Sequence, residues 1–308
     1  MARTASSDLP SQAGQAGKYL STDGGSPAWD SASVELPAQS GKNGKYLQTS
    51  GTAASWEDVS AGGQTLYDAI VAPSGGDYTT IGAAIAASKK RIFVRAGTYT
   101  LSADITIAAN DTWIIGESWA TIIDGNTNGF GIALGAFDSC HIRNITIQRS
   151  GTTTSAITGT GSYTIIDGCN VLGAILISGG SSHQITNNYV THPTGYYGIR
   201  WTGSDDPGPV ISGNTVEFIA STSGILGYGI RAEWNCTVSA NTVHSVGNSS
   251  SNEAYGIYSD GGHVTANGNR INFIIAKGTA GGLAVGVWLT SECTATGNEV
   301  GQIGVSGS

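Results

Sequence analysis

After residue 90 the chain is a succession of short hydrophobic runs, such as residues 91–94 and 113–116, separated by glycine, asparagine and aspartate. Runs of three to five residues that are rich in isoleucine and valine and bounded by turn formers are typical of β-strands. No second helical pattern follows residue 90. The sequence therefore predicts an all-β fold over most of its length.

Residues 77–90 show a different pattern, because their apolar side chains recur at helical spacing. The apolar positions are Ile81, Ala84 and Ile85. Asp77 or Thr79 is a candidate N-cap, and Lys89 and Lys90 suit a helix C-terminus, which prefers cations. We expect one short amphipathic helix ahead of the strands.

The strand region carries two sequence marks that repeat together. The first is Asn-x-[Val/Ile], with asparagines 26, 27, 28 and 29 residues apart at Asn188, Asn214, Asn241, Asn269 and Asn298. The second is an aromatic or apolar residue followed by Gly-[Ile/Val], at Tyr197, Tyr228, Tyr255 and Val285. This periodicity predicts a solenoid whose coils are short parallel strands, each paired with the next coil. A β-sandwich would instead show hairpin turns about every 8–12 residues.

The N-terminal region contains a repeat of another kind. Residues 9–35 align without gaps on residues 36–62, and the two units share Gly-Lys-Tyr-Leu and a later tryptophan, Trp29 or Trp56. Each unit predicts a β-hairpin, which is only marginally stable by itself. We expect the units to associate, as in a homotrimer; a flexible linker with two aromatic residues is the alternative. The predicted organisation is a repeat region at 1–62, a linker at 63–76 and the solenoid at 77–308.

Two family resemblances rest on these segments. Residues 9–60 resemble the Gly-Lys-[Tyr/Phe]-Leu…Thr-[Asp/Ser]-Gly…Trp units of bacteriophage tail fibres and other virion appendages, which implies a trimeric, virion-attached protein. Residues 75–308 are similar to the pectin-lyase-like superfamily of right-handed parallel β-helices, through residues 77–85, 92–99 and 114–116. This second resemblance implies that the helix caps the first coil. It implies no activity, because the same scaffold serves lyases, hydrolases, esterases and inert virion parts.

Composition and charge narrow the classes of partner. The chain has 14 Lys and Arg against 22 Asp and Glu, a formal charge of -8, which argues against a nucleic-acid partner. No apolar run approaches the roughly 18 residues of a membrane span, and no secretory signal is readable at the N-terminus. The four cysteines show no C-x-x-C spacing and the histidines share no spacing, so we expect no disulfide scaffold, no metal site and no cofactor.

The register assigns faces to individual residues, since side chains alternate across a strand. Cys140, Cys236 and Cys293 share an inward position with His183 and are expected to be buried fillers. The asparagines of the first mark resemble the inward asparagine ladders found at the bends of this fold. Their amides would bond to one another and to turn backbone.

The outward positions after the second mark carry the candidate binding chemistry. One per coil, these are Arg200, Arg231, Tyr258 and Trp288, and two positions further on are Thr202, Glu233, Asp260 and Thr290. Aromatic faces and guanidinium groups flanked by carboxylates suit a sugar chain. Surface ion pairs, or contacts with neighbouring subunits of a trimer, are the alternative interpretations.

Glu233 and Asp260 are also weak candidates for catalysis. On successive coils their backbones would lie roughly 5 Å apart, near the carboxyl separation of retaining glycosidases. Any two stacked acids share that spacing, and Asp205 and Asp206 are equally vague candidates. The sequence therefore favours a protein without enzymatic activity.

The function that these patterns predict is a phage tail fibre or tailspike, assembled in the host cytoplasm. Its N-terminal repeats would attach to other virion proteins, and its β-helix would face host polysaccharide. A polysaccharide depolymerase, hydrolase or lyase, and a non-catalytic virion decoration or adaptor protein are the alternatives. The last coil stops in mid-pattern at Ser308, so we expect a threefold partner, another virion protein or a further segment to cover it.

Overall fold

The structure is a computed structural model, and it describes residues 10–16, 18–21, 27–31, 45–50, 53–58, 66–125, 129, 131–149, 155–204, 207–221, 226–248, 253–277, 282–290 and 292–306. The chain divides into two compact units, Met1–Thr65 and Leu66–Ser308. Asp205 and Asp206 lie outside the described residues.

Each N-terminal repeat contains one antiparallel strand pair. Lys18–Ser21 pairs with Ala28–Ser31, and Lys45–Ser50 pairs with Ala53–Asp58. The registers are equivalent, because Leu20 pairs with Trp29 in the first hairpin as Leu47 pairs with Trp56 in the second. The indole of Trp29 donates a hydrogen bond to the carbonyl of Pro10 at 3.1 Å, while Leu20 stays 41% exposed.

The second unit is a parallel β-solenoid of three sheets with about eight coils. From Arg91 to Trp288 each coil passes through sheet III, then sheet I, then sheet II, and each strand pairs in parallel with the equivalent strand one coil away. The strands of sheet I are Gly97–Thr100, Thr121–Asp124, Thr146–Gln148, Asn170–Leu172, Tyr189–Thr191, Thr215–Ser221, Thr242–Asn248, Arg270–Lys277, Glu299–Val300 and Ile303–Ser306. Those of sheet II are Ile105–Thr106, Ile132–Ala133, Ser155–Gly159, Ala174–Ser178, Tyr197–Thr202, Gly227–Ala232, Glu253–Tyr258 and Leu283–Trp288. Those of sheet III are Ala69–Val71, Arg91–Val94, Trp113–Gly116, His141–Arg143, Ile165–Asp167, Gln184–Thr186, Val210–Ser212, Thr237–Ser239, Thr265–Asn267 and Thr294–Thr296.

The core is a column of aliphatic side chains that repeats from coil to coil. Ile185, Ile211, Val238 and Ala266 follow one another in register on sheet III, and all are fully buried. Glycine is required where the second mark turns inward: a Cβ on Gly198 would lie 2.7 Å from the carbonyl oxygen of Gly229. The parallel solenoid confirms the fold predicted from the two sequence marks.

The helix is shorter than its sequence pattern suggests. It spans Ile81–Ala86, and its N-cap is Thr80, whose hydroxyl accepts the N–H of Ala83, rather than Asp77 or Thr79. Ser88 takes a left-handed conformation and the N–H of Lys89 bonds to the carbonyl of Ala84, which closes the helix before the lysines. The apolar positions Ile81, Ala84 and Ile85 join the solenoid core, as predicted.

The solenoid begins earlier than residue 77. The strand Ala69–Val71 pairs with Arg91–Val94, and Asp68 accepts the backbone N–H groups of Lys90 and Arg91 at 3.2 and 2.9 Å. Residues 66–76, predicted as part of a linker, therefore belong to the solenoid unit. The sequence analysis placed the strands of the solenoid only after residue 90, so it missed this one.

A two-residue corner, whose first residue has a left-handed φ, joins sheet III to sheet I in every coil from residue 144 to residue 297. The first residues of these corners take φ angles of 53 to 66°: Asn144, Gly168, Asn187, Gly213, Ala240, Gly268 and Gly297. Asparagine and glycine tolerate this conformation best, and they fill six of the seven positions. Each of them directly precedes an inward position, which from Asn188 onward is the asparagine of the first mark.

These inward asparagines form a continuous ladder. Both the backbone N–H and the Nδ2 of Asn214 donate to Oδ1 of Asn241, at 3.0 and 2.9 Å, and Nδ2 also donates to the carbonyl of Ile185 at 2.8 Å. The same pattern links Asn188 to Asn214, and Asn241 to Asn269. Four of the five ladder residues are 1% exposed, so the amides satisfy backbone groups that no water reaches. The predicted ladder is confirmed.

The cysteines occupy inward positions. Cys140 and Cys236 are buried as predicted, while Cys293 is only half-buried. Cys169 stands at the ladder position of its coil: its backbone N–H donates to Oδ1 of Asn188, and its thiol lies 3.6 Å from the carbonyl of Ile142. Burial raises the pKa of the Cys169 thiol to about 12, so it stays protonated and unreactive.

We expect Asn241→Ala to lower the free energy of unfolding by roughly 2–5 kcal/mol, because two buried donors of Asn214 lose their acceptor. Urea denaturation of the variant measures the change. Asn267→Ala is the matched control, since Asn267 points outward in Thr265–Asn267, and it should cost less than about 1 kcal/mol. Equal losses in the two variants would contradict the ladder's role.

Candidate functional site

The outer face of sheet II carries three parallel columns of side chains, because equivalent residues of successive coils lie beside each other. The tyrosine column contains Tyr197, Tyr228 and Tyr255. The arginine–aromatic column contains Arg200, Arg231, Tyr258 and Trp288, in register on four successive coils. The acidic column follows the strand ends and contains Glu233 and Asp260. The stacking predicted for this face is therefore present.

The tyrosine column is a stack of near-parallel rings. The centroids of Tyr197 and Tyr228 are 5.3 Å apart, and those of Tyr228 and Tyr255 are 5.4 Å apart, with interplanar angles of 11 and 12°. Tyr258 packs edge-on against Tyr228 and Tyr255 at 5.0 and 4.9 Å. Tyr228 and Tyr255 are consequently only 3% and 5% exposed, although they lie on the outer side of the sheet.

The two arginines of the face are engaged by the acidic column. Nη2 of Arg231 lies 2.6 Å from Oδ2 of Asp260 and 3.2 Å from Oε1 of Glu233. Nη2 of Arg200 lies 3.7 Å from the same Glu233 oxygen. The guanidinium groups also lie over tyrosine rings, Arg200 4.9 Å from Tyr197 and Arg231 5.6 Å from Tyr228. Two cations and two carboxylates thus form one network whose formal charge is zero.

The electrostatics of this network follow from partial burial. Burial raises the pKa of Glu233; the charge of Arg231 opposes that rise and the charge of Asp260 adds to it. Burial alone would lower the pKa of Arg231, but Asp260, Tyr197 and Glu233 together outweigh it and the net pKa is raised. Arg231 therefore remains a cation that holds both carboxylates.

The groups left open to a ligand differ from the predicted set. Arg200, Arg231 and Tyr258 are only partly exposed, whereas Trp288 is 44% exposed and the Asp260 side chain 38%. Trp234, which the sequence analysis did not select, is 43% exposed and directly follows Glu233. Its ring lies against Gly261 of the next coil, where a Cβ would come within 2.7 Å of it. The sequence signal that could have identified Trp234 is the Gly-Gly pair that lies one coil after it.

Sheet I carries a second polar cluster. The Tyr189 hydroxyl donates to Glu217, whose Oε2 lies 3.9 Å from Nδ1 of His244, and the Ser245 hydroxyl lies 2.6 Å from that same nitrogen. The Glu217 hydrogen bond raises the pKa of Tyr189 to about 12. Because Ser245 and Glu217 approach one nitrogen rather than opposite sides of the ring, the geometry does not form a catalytic triad.

Among the residues that the structure describes, no group of three His, Cys, Asp or Glu side chains is placed to hold a metal ion. No helix in the described part of the chain is long and apolar enough to cross a membrane.

Comparisons with known proteins agree on the fold. No family model and no curated protein matches the chain. A solved pectin methylesterase from the rice weevil is 15% identical, with a TM-score of 0.50, over 77% of this chain and 88% of that one. ORF18 of Geobacillus virus E2 is 12% identical (TM-score 0.37, covering 87% and 69%), and the Dettilon tailspike protein 14% identical (TM-score 0.31, covering 77% and 68%).

The chain is therefore a parallel β-helix protein. At these identities the similarity shows the fold alone. The function must be argued from the outer face of sheet II and from the N-terminal hairpins.

We expect the protein to lose stability above about pH 10. Burial raises the pKa of Tyr228 and of Tyr255 above that of a free phenol, about 10, so their contribution to stability is complete below that pH and is lost as the pH rises through the raised pKa. Tyr228→Phe should flatten the alkaline decline in a series of urea titrations. Tyr163→Phe, at a side chain 55% exposed, is the control and should leave it unchanged. An identical decline in Tyr228→Phe and wild type would contradict this account.

Proposed function

We propose that this protein is a homotrimeric virion appendage, a phage tail fibre or tailspike, that presents the outer face of sheet II to a host surface polysaccharide. One observation carries the polysaccharide assignment: aromatic and hydrogen-bonding side chains are aligned on four successive coils of a single sheet. Repeating polymers suit such a surface, because each coil offers similar groups one strand spacing, about 4.8 Å, further along. The contact residues of this proposal are Arg200, Arg231, Tyr258 and Trp288.

The attachment role rests on the N-terminal hairpins. A two-stranded sheet leaves one face uncovered and is marginally stable alone. In the first hairpin Leu20 is 41% exposed beside Trp29, so apolar surface is available for association. Association of identical chains around a threefold axis would cover it, and the same repeats would then bind other virion proteins. We place the protein in the virion, assembled in the host cytoplasm.

Tyr258→Ala combined with Trp288→Ala should weaken binding to host cells, or to their extracted surface polysaccharide, by roughly tenfold or more, since two stacking faces are lost. Surface plasmon resonance on immobilised polysaccharide measures this. Trp119→Ala is the control, because Trp119 is 51% exposed and lies before the sheet I strand Thr121–Asp124. Unchanged adsorption by the double variant would remove these residues from the binding face.

Multi-angle light scattering should give a mass near three times the 31.3 kDa of one chain. Leu20→Glu should lower the trimer fraction, because a charge would enter the apolar contact. Val210→Glu is the matched control, with 40% exposure on sheet III of the solenoid. A monomeric wild-type mass would contradict the trimer.

A second candidate function is depolymerisation of the bound glycan. The observation that favours it is the raised pKa of Glu233 beside Asp260, since a glycosidase needs one protonated and one ionised carboxyl group. Against it, one nitrogen of Arg231 holds both carboxylates. Oligosaccharide release that disappears in Glu233→Gln or Asp260→Asn would establish the hydrolase, and absence of any release with wild-type protein would exclude it.

A further inference from the structure

The charge state of the sheet II face determines which glycans it accepts. Anionic polysaccharides are bound by proteins through unpaired cations, as phosphates and carboxylates generally are. Both arginines of the face are instead within 4.0 Å of a carboxylate, and Arg231 contacts two. Over the described part of this face, an anionic sugar would have to displace Asp260 or Glu233 from a guanidinium group.

The exposed groups favour a ligand without charge. Within a coil, the position of the arginine–aromatic column, which includes Trp288, comes before that of the acidic column. The position of Trp234 comes directly after the acidic column. The two indoles, 44% and 43% exposed, offer flat faces to the C–H faces of sugar rings. The Asp260 carboxylate belongs to the acidic column, between these two positions of the coil, and is 38% exposed. It can accept hydrogen bonds from sugar hydroxyls while it remains paired with Arg231.

We propose that the ligand is an uncharged polysaccharide, that Trp234 is a contact residue in addition to Trp288, and that the acidic column excludes anionic glycans. This inference rests on the proposed polysaccharide-binding function. Its physical basis is the zero formal charge of the Arg200, Arg231, Glu233 and Asp260 network in a chain whose total formal charge is -8. An anionic polymer gains no attraction from this face and is repelled by the whole chain.

The test uses the full-length protein and a glycan array in which uncharged polysaccharides are paired with carboxylated or sulfated members of the same backbone. We expect binding to uncharged members only, with an affinity that changes less than about twofold between roughly 50 and 500 mM NaCl, because no ion pair forms with the ligand. Trp234→Ala should weaken binding roughly fivefold to tenfold, and Trp119→Ala should not.

The variant Asp260→Asn tests the exclusion directly. It keeps the side-chain shape and removes one carboxylate from Arg231, so the preference for uncharged over anionic members should fall several-fold. Glu299→Gln is the matched control, because it removes one carboxylate from an exposed pair with Arg270 on sheet I and should leave the preference unchanged.

The outcomes distinguish failure of this inference from failure of the proposed function. Preferential binding of anionic members, weakening steeply with salt, would overturn the inference and leave the proposed function standing. Unchanged selectivity in Asp260→Asn would overturn the role of the acidic column. No binding to any member of an array that contains the host's own surface polysaccharide would contradict the proposed function itself.

Discussion

Hydrogen bonding between equivalent residues of successive coils is the constraint on which the structure depends. Backbone pairing alone fixes the spacing between coils but tolerates a slip along the strand. The ladder from Asn188 to Asn298 removes that freedom, since every side-chain oxygen from Asn214 onward accepts two donors of the preceding coil. A slip by one residue would leave those donors unpaired, so the ladder holds every other column in register.

The outer face of sheet II follows from that register. Tyrosine rings 5.3 and 5.4 Å apart can stack only because their coils are aligned, and the same alignment brings Arg231 between carboxylates of its own coil and the next. The stack and the ion network support each other, because Tyr258 packs edge-on against two rings while the guanidinium of Arg231 lies 5.7 Å from its centroid. A surface of this kind is rigid before a ligand arrives, which lowers the entropic cost of binding.

The structural features that repeat from coil to coil could be predicted from the sequence. Features that depend on individual side-chain contacts could not. The asparagine ladder and the column from Arg200 to Trp288 were predictable because spacing alone defines them. The ion pair between Arg231 and Asp260 was only one of several interpretations, because side-chain conformers cannot be inferred from a repeating sequence pattern. Three aligned strands of sheet I contain a bulge, at Phe218, Ser245 and Phe273, that the sequence could not predict. These residues take left-handed φ angles of 53 to 55°, which their side chains disfavour, so pairing between coils overrides the local preference.

The short, constant corner between sheets III and I limits how such a molecule can diversify. Across this corner, Ile185 and Asn188 are three residues apart, as are Ile211 and Asn214. Between sheets I and II the separation varies, because Asn188 and Tyr197 are nine residues apart and Asn214 and Tyr228 are fourteen apart. The corner between sheets II and III also varies, with seven residues between Thr202 and Val210 and four between Ala232 and Thr237. In these coils length variation is thus confined to the other two corners. Loops grafted between sheets I and II, or between sheets II and III, would border the binding face and alter its specificity, while an insertion at the third corner would interrupt the solenoid itself.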